Sequence, residues 1–298
     1  MRRRVPQFCV LFASLSLVSI PSTCAKTSAS SQLQAGMTCP SPAALEHEQS
    51  GPEISIADVS LSGPVELPVT EQEQIADSIK QQTHGKSIDL VTDEALERVR
   101  SGWQNQGYLK VLVSGEPRIL ESDSVSRRIA LSVHVEEGPQ YRLGEIMFKN
   151  NRAISNLEAL RKLFPIKDGD IFSREKIAKG LENLRDAYER LGYINFTPVP
   201  DTTFDEDKKL VNVIIDVDEG KQYYVSGVKI LGLDETGQEE VLKNFPMKRG
   251  QIYNGRLLKR FLLKHASVFS ASHRSKRTLN DQAGTVTFTF DFRPCPAD

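Results

Sequence analysis

Histidine, cysteine and tryptophan are all scarce in this chain, at five, four and one among 298 residues. Each shortage excludes something. His47, His84, His134, His265 and His273 share no metal-ligand spacing, and neither Cys39 nor Cys295 has a second Cys or a His at zinc-site separation. There is no Walker loop, no G-x-S-x-G and no H-E-x-x-H. Asp168-Gly169-Asp170 is not followed by the regular ligand spacing of a calcium loop, so it reads as a turn. Glu136 and Glu137 are adjacent in a strand pattern and face opposite sides, which rules out an acid/base pair. The chain therefore reads as no enzyme, with no cofactor, metal, small-molecule substrate or nucleic-acid partner.

Long apolar runs are also missing. One stretch, Phe8 to Ile20, is 13 residues long and diluted by Ser14, Ser16 and Ser19, well short of the roughly 20 that a spanning helix needs. With "MRRRVPQ" before it and Ala25 after it, it reads as a signal peptide over residues 1–25, and the protein as exported. Pro21–Ser22–Thr23 is a poor lipidation signal for Cys24. Residues 26–52 are rich in Ser, Ala, Gln, Thr and Pro without periodicity and read as a disordered leader. Cleavage removes Cys9, Cys24 and three arginines, moving the formal charge from −1 to −4. Cys39 and Cys295 remain; in an oxidising compartment they can pair, with an intermolecular bond or free thiols as the alternatives.

What the chain has is repetition. "FPIKDGDIF" (164–172) returns as "FPMKRGQIY" (245–253), "EGPQY" (137–141) as "EGKQY" (219–223), and "QGYL" around Gly107 as "LGYI" around Gly192. The offsets of 81, 82 and 85 residues define a tandem repeat. Within the second copy, Leu143 to Lys149 reads as a strand, and a short helix follows around Asn156 to Phe164. Ser173 then caps a long helix with Ile177, Leu181, Leu184, Tyr188 and Leu191 on one face. Gly192 ends that helix. Two strands close the copy, the last with Val211, Val213, Ile215 and Val217 inward. In the first copy, Ile129, Leu131, Val133 and Val135 alternate in the same way, and the long helix is expected to open at Thr92 and to bury Leu96, Val99 and Trp103. The third ends on Val286, Phe288, Phe290 and Phe292. The predicted fold class is α+β: tandem β-α-α-β-β modules at 53–138, 139–220 and 221–298, each a three-stranded mixed sheet covered by a helix pair.

Gly169, Asp170 and Phe172 before the long helix, Gly192 and Tyr193 after it, and Glu219 and Gly220 closing the last strand give the second module a resemblance to the POTRA (polypeptide-transport-associated) domain. The first module shares Gly107, Tyr108, Glu137 and Gly138, with only "GKSI" for the turn; the third keeps "GQIY" but lacks the Gly-Tyr pair. The resemblance implies a periplasmic array of the kind that precedes an outer-membrane β-barrel. Asp298 comes well short of such a barrel, so an array without its own pore is expected. It implies a scaffold or chaperone in outer-membrane protein assembly or secretion, with a barrel protein or unfolded outer-membrane clients as partners. An envelope or divisome structural scaffold is the alternative.

Two surfaces are expected to matter. The strand after each Gly-Tyr pair is a sheet edge in the family, which nominates Leu109, Val111, Leu112, Val113, Ile194 and Phe196 for β-augmentation; Pro198 and Pro200 shorten the second edge. From Lys243 to Arg277 there are ten Lys or Arg and no Asp or Glu. Lys259, Arg260, Lys264, Arg274, Lys276 and Arg277 are nominated as a basic patch for an anionic membrane surface or an acidic partner, against the alternative of a merely solvated helix face. "SASHRSKRT" (270–278) is too charged for a buried strand and is expected to be a contact loop.

Overall fold

Inward-facing Ile129, Leu131, Val133 and Val135 are all essentially inaccessible to solvent, because their strand lies in the middle of its sheet. The computed structural model describes residues 51–266, 269 and 274–293. In the first repeat the elements run β1 (Glu53–Ser62), α1 (Val69–Gln82), β2 (His84–Gly85), α2 (Ile88–Asn105), β3 (Leu112–Ser122) and β4 (Ser126–Glu136). The sheet order is β2-β1-β4-β3, with β4 parallel to β1 and antiparallel to β3. The two-residue β2 was not expected from the sequence; it is where the "GKSI" turn brings His84 and Gly85 alongside β1.

Helix α2 opens five residues earlier than the expected Thr92. Ser87 is its N-cap, accepting from the Leu90 N–H, and Asp89 lies in the first turn, where the helix dipole favours a carboxylate. This start puts Val91, Ala95, Val99 and Trp103 in one stripe at four-residue spacing, all buried against the sheet. Leu96 packs at the margin of that core, half-buried.

The second repeat runs β5 (Arg142–Lys149), α3 (Leu157–Arg161), α4 (Arg174–Arg190), β6 (Thr197–Asp205) and β7 (Leu210–Asp218), in sheet order β5-β7-β6. The third runs β8 (Tyr224–Leu231), α5 (Glu235–Asn244), α6 (Gly255–Lys264), β9 (Arg274–Asn280) and β10 (Thr285–Asp291), in order β8-β10-β9. Each sheet is mixed, with the last strand of its repeat in the centre. The expected contact loop in 270–278 is corrected from Arg274 onward, where the chain forms β9, antiparallel to β10. Its charge is tolerated because β9 is an edge strand and only one of its faces meets the core.

By internal contacts the chain divides into two compact units, and the division passes through the second repeat. Among the described residues, one contains 51–185 with 203–217, the other 186–202 with those from 218 onward. No helix among the described residues is long and apolar enough to cross a membrane.

Candidate binding surfaces and joints

The recurring turns have recurring hydrogen bonds. In "FPIKDGDIF" the Gly169 N–H donates to the Leu143 carbonyl, the Leu143 N–H to the Asp170 carbonyl, and the Lys167 N–H to the Asp170 carboxylate. In "FPMKRGQIY" Gly250, Val225, Gln251 and Lys248 repeat this pattern, with the Gln251 amide oxygen as the acceptor. The turn between the helices thus covers the outer side of the repeat's first strand, where single bridges join Arg142 to Ile171 and Tyr224 to Ile252.

The Gly-Tyr and Gln-Tyr motifs meet at the joints. Gly107 ends α2 with φ +88°, and its carbonyl accepts from the Tyr141 N–H at 2.8 Å; Gly192 has φ +89° and accepts from Tyr223 at 2.9 Å. Gln140 donates to the Gln106 carbonyl, and Gln222 to the Leu191 carbonyl. The Tyr141 hydroxyl donates to Glu206 (2.7 Å), to which Lys110 also donates. In the same place one repeat on, the Tyr223 hydroxyl donates to Asp281 (2.6 Å) and accepts from Asn195 (3.2 Å). Burial, reinforced by Asp281, pushes the Tyr223 phenol up to about 12. Hydrogen bonds from Lys110 and Tyr141 hold the Glu206 carboxyl below its ordinary range. Arg174 and the first turn of α4 bind the end of α2 as well: the guanidinium donates to Gln104, and the Glu175 N–H donates to Asn105.

The sequence reading missed these tyrosine joints, although Gln-Tyr and Gly-Tyr recur together. It also missed the role of Glu137, which is buried. The Glu137 carboxylate accepts from the backbone N–H groups of Glu66 (2.6 Å) and Leu67 (3.0 Å), just before α1, and from Trp103 Nε1 (2.7 Å). In the second repeat the Tyr188 hydroxyl donates to Glu219. The Glu of the Glu-Gly motif therefore ties the end of the central strand to the long helix.

The strand after each Gly-Tyr pair is at a sheet edge, but it starts later than expected. Leu109 lies in a turn, Val111 is buried in the core before β3, and only Leu112 and Val113 belong to the strand. Ile194 and Phe196 likewise precede β6, and Phe196 is buried with its ring stacked on Tyr188 at 4.1 Å. After glycine the chain makes one more turn, closed by Tyr108 and Tyr193 N–H groups that reach back to Trp103 and Tyr188.

The six nominated cations do not form one surface. Cross-strand pairs place Leu279 beside Val286 and Arg277 beside Phe288, on the core side. Arg277 donates to the buried Tyr253 hydroxyl. Arg274 and Lys276 lie on the opposite face, where Arg274 pairs with Asp291 at 3.2 Å. Lys259, Arg260 and Lys264 are exposed on α6. Cys39 and Cys295 lie outside the described residues.

Residues 141–220 match the POTRA family model, described as "Surface antigen variable number repeat", and this stretch is a POTRA domain. The chain is similar to a protein of Treponema pallidum (strain Nichols) named for outer membrane protein assembly. The two are 27% identical over 171 residues, 57% of this chain and 20% of the relative. It is similar to the outer membrane protein assembly factor BamA of Neisseria meningitidis serogroup B, 23% identical over 169 residues, 55% of this chain and 20% of the relative. The chain thus spans about a fifth of the length of these curated relatives. The POTRA3-5 fragment of Haemophilus influenzae BamA matches with TM-score 0.61 and 19% identity, covering 81% of this chain and 96% of the fragment. The fold is that of tandem POTRA domains.

Proposed function

We propose that this chain is a non-catalytic, exported scaffold of the periplasm that serves outer-membrane protein assembly or secretion. It adds extended segments of unfolded clients, or of a barrel partner, to the free edge of β3. The likeness to relatives named for outer membrane protein assembly supports the process; the edge strand supports the mode of binding. β3 is the longest of the three edges left by β3, β6 and β9, and it ends its sheet beside β4. Pro117 sits in this strand opposite Leu131. A proline has no N–H, so the ladder accommodates it where its nitrogen faces away from β4. Alternation along the strand then turns the N–H groups of Val113 and Gly115 outward too, as free donors for an added strand. Leu112 and Ile119, both exposed, supply apolar contacts along the strand.

Val113→Pro removes one outward donor and leaves the bonds to β4 in place, whereas Leu112→Pro removes a bond to Glu136. Affinity for a labelled peptide of alternating apolar and polar residues is expected to fall at least about tenfold in the Val113 variant. Far-UV circular dichroism and Trp103 emission should stay unchanged. Undiminished binding by a folded Val113→Pro protein refutes the edge as the site.

A further inference from the structure

Helix α6, "GRLLKRFLLK", contains no acidic residue. Leu258 and Phe261 are buried in the third core, with Leu257 and Leu262 packed at its margin. Arg256, Lys259, Arg260 and Leu263 recur at three- and four-residue spacing on the other side, which makes them one outward stripe, with Lys264 at its end. All four cations are exposed, and none of them forms an ion pair with a described residue. Other cations of the third repeat are engaged: Arg274 and Arg293 both pair with Asp291. Leu263 is 69% exposed in the middle of this charge.

We propose that the outward face of α6 docks on an anionic lipid bilayer, with Arg256, Lys259, Arg260 and Lys264 against headgroup phosphates and Leu263 inserted at the acyl boundary. The inference does not depend on the β3 edge. Unpaired cations are free to meet headgroups without breaking an internal bond. An acidic protein would answer the charge but would leave Leu263 unexplained, whereas an interfacial helix combines Lys and Arg with an apolar residue that enters the boundary. The inner stripe stays in the core, so the helix binds peripherally without leaving the fold. Each basic residue near such a surface strengthens binding about fivefold, and salt screens the attraction.

Vesicle flotation of the chain without its residues 1–25 tests this, using neutral phosphatidylcholine vesicles and vesicles in which about a third is anionic phosphatidylglycerol. Binding to the anionic vesicles only is expected, falling at least about tenfold from low to physiological salt. Lys259→Gln with Arg260→Gln should weaken it more than about tenfold, and Leu263→Ser severalfold at unchanged charge. Lys229→Glu with Lys276→Glu is the control. These lysines flank Thr289 on the opposite face of the sheet, and this variant should bind like wild type. The proposal is overturned by equal binding to neutral vesicles, by undiminished binding of the glutamine variant, or by an equal loss in the control. It is equally overturned if the α6 cations are needed for capture of an acidic envelope protein while no vesicle is bound.

Discussion

Replacing Glu137 by alanine should unfold the first repeat before anything else in the chain. The side chain is 3% exposed and its two oxygens serve three donors. A hydrogen bond to a charged acceptor contributes about 1.5–3 kcal/mol, and a buried donor left without an acceptor costs about 1–3 kcal/mol. The three effects are not additive, since Glu66 lies at the surface and its N–H can turn to water. The alanine variant is therefore expected to lose about 3–5 kcal/mol, a large share of the roughly 5–15 kcal/mol that holds a domain folded. Glutamine keeps one acceptor but presents an amide donor to the remaining N–H groups, so a loss of about 2 kcal/mol is expected. Trp103 is the single tryptophan and donates directly to this carboxylate, so its emission reports the site and its repeat without labelling. Urea unfolding followed by Trp103 emission should shift its midpoint in the order wild type, glutamine, alanine. If the alanine variant loses less than about 1 kcal/mol, a water has taken over the acceptor role and the carboxylate is not the anchor described.

Alanine at Gly107 or Gly192 is expected to cost about 2–4 kcal/mol, combining left-handed strain with a Cβ placed 2.7 Å from the Tyr141 carbonyl or 3.0 Å from that of Tyr223. Gly169→Ala meets the strain alone, because nothing lies within 4 Å of its Cβ, and should cost about 1–2 kcal/mol; thermal unfolding separates the two classes. Tyr223 predicts an alkaline effect. Burial and Asp281 push its folded phenol up to about 12 from the ordinary 10.0, so the stabilisation is complete below about pH 10 and is lost as pH rises toward 12. Tyr223→Phe should be less stable than wild type at neutral pH, and the gap should narrow by up to about 2–3 kcal/mol across that window in denaturant titrations.

Elements governed by periodicity were legible in the sequence. The inward stripe of α4 from Ile177 to Tyr188 and the alternation in β4, β7 and β10 needed only apolar spacing, and internal repetition carried the pattern into the third repeat; Leu191, expected on the same stripe, lies past the helix end and is exposed. Boundaries set by a single hydrogen bond were not. Ser87 and Thr92 both make good helix caps, and the choice fell to Ser87 because that start brings Val91 into the buried stripe. The Gly-Tyr pair looked like the start of a strand, but the chain first turns once more, and this buries Val111 and Phe196 that had been assigned to an exposed edge. The basic run gave composition without direction. Only cross-strand register shows that Arg277 faces the core while Arg274 and Lys276 face away from it. The joint partners Glu206 and Asp281 lie in hairpin turns that share no motif, so nothing in the sequence linked them to Tyr141 and Tyr223.

The joints explain why glycine and tyrosine travel together. A donor from the next repeat must reach the carbonyl at the end of the long helix, and the glycine's left-handed backbone presents that carbonyl as the helix stops. A side chain there would collide with the incoming tyrosine's own carbonyl. The glutamine before each tyrosine adds a second bond to the helix end, and the phenol gathers a third group from the preceding repeat. Its ring is buried, and its hydroxyl reaches the acid in the following repeat's hairpin turn, beside Lys110 in one joint and Asn195 in the other. Phenylalanine would fill the same space but lose the hydroxyl's attachment. Each tyrosine thus has its backbone on the preceding repeat and its hydroxyl on the hairpin turn of the repeat that it opens, bracing that repeat where the helix end meets it.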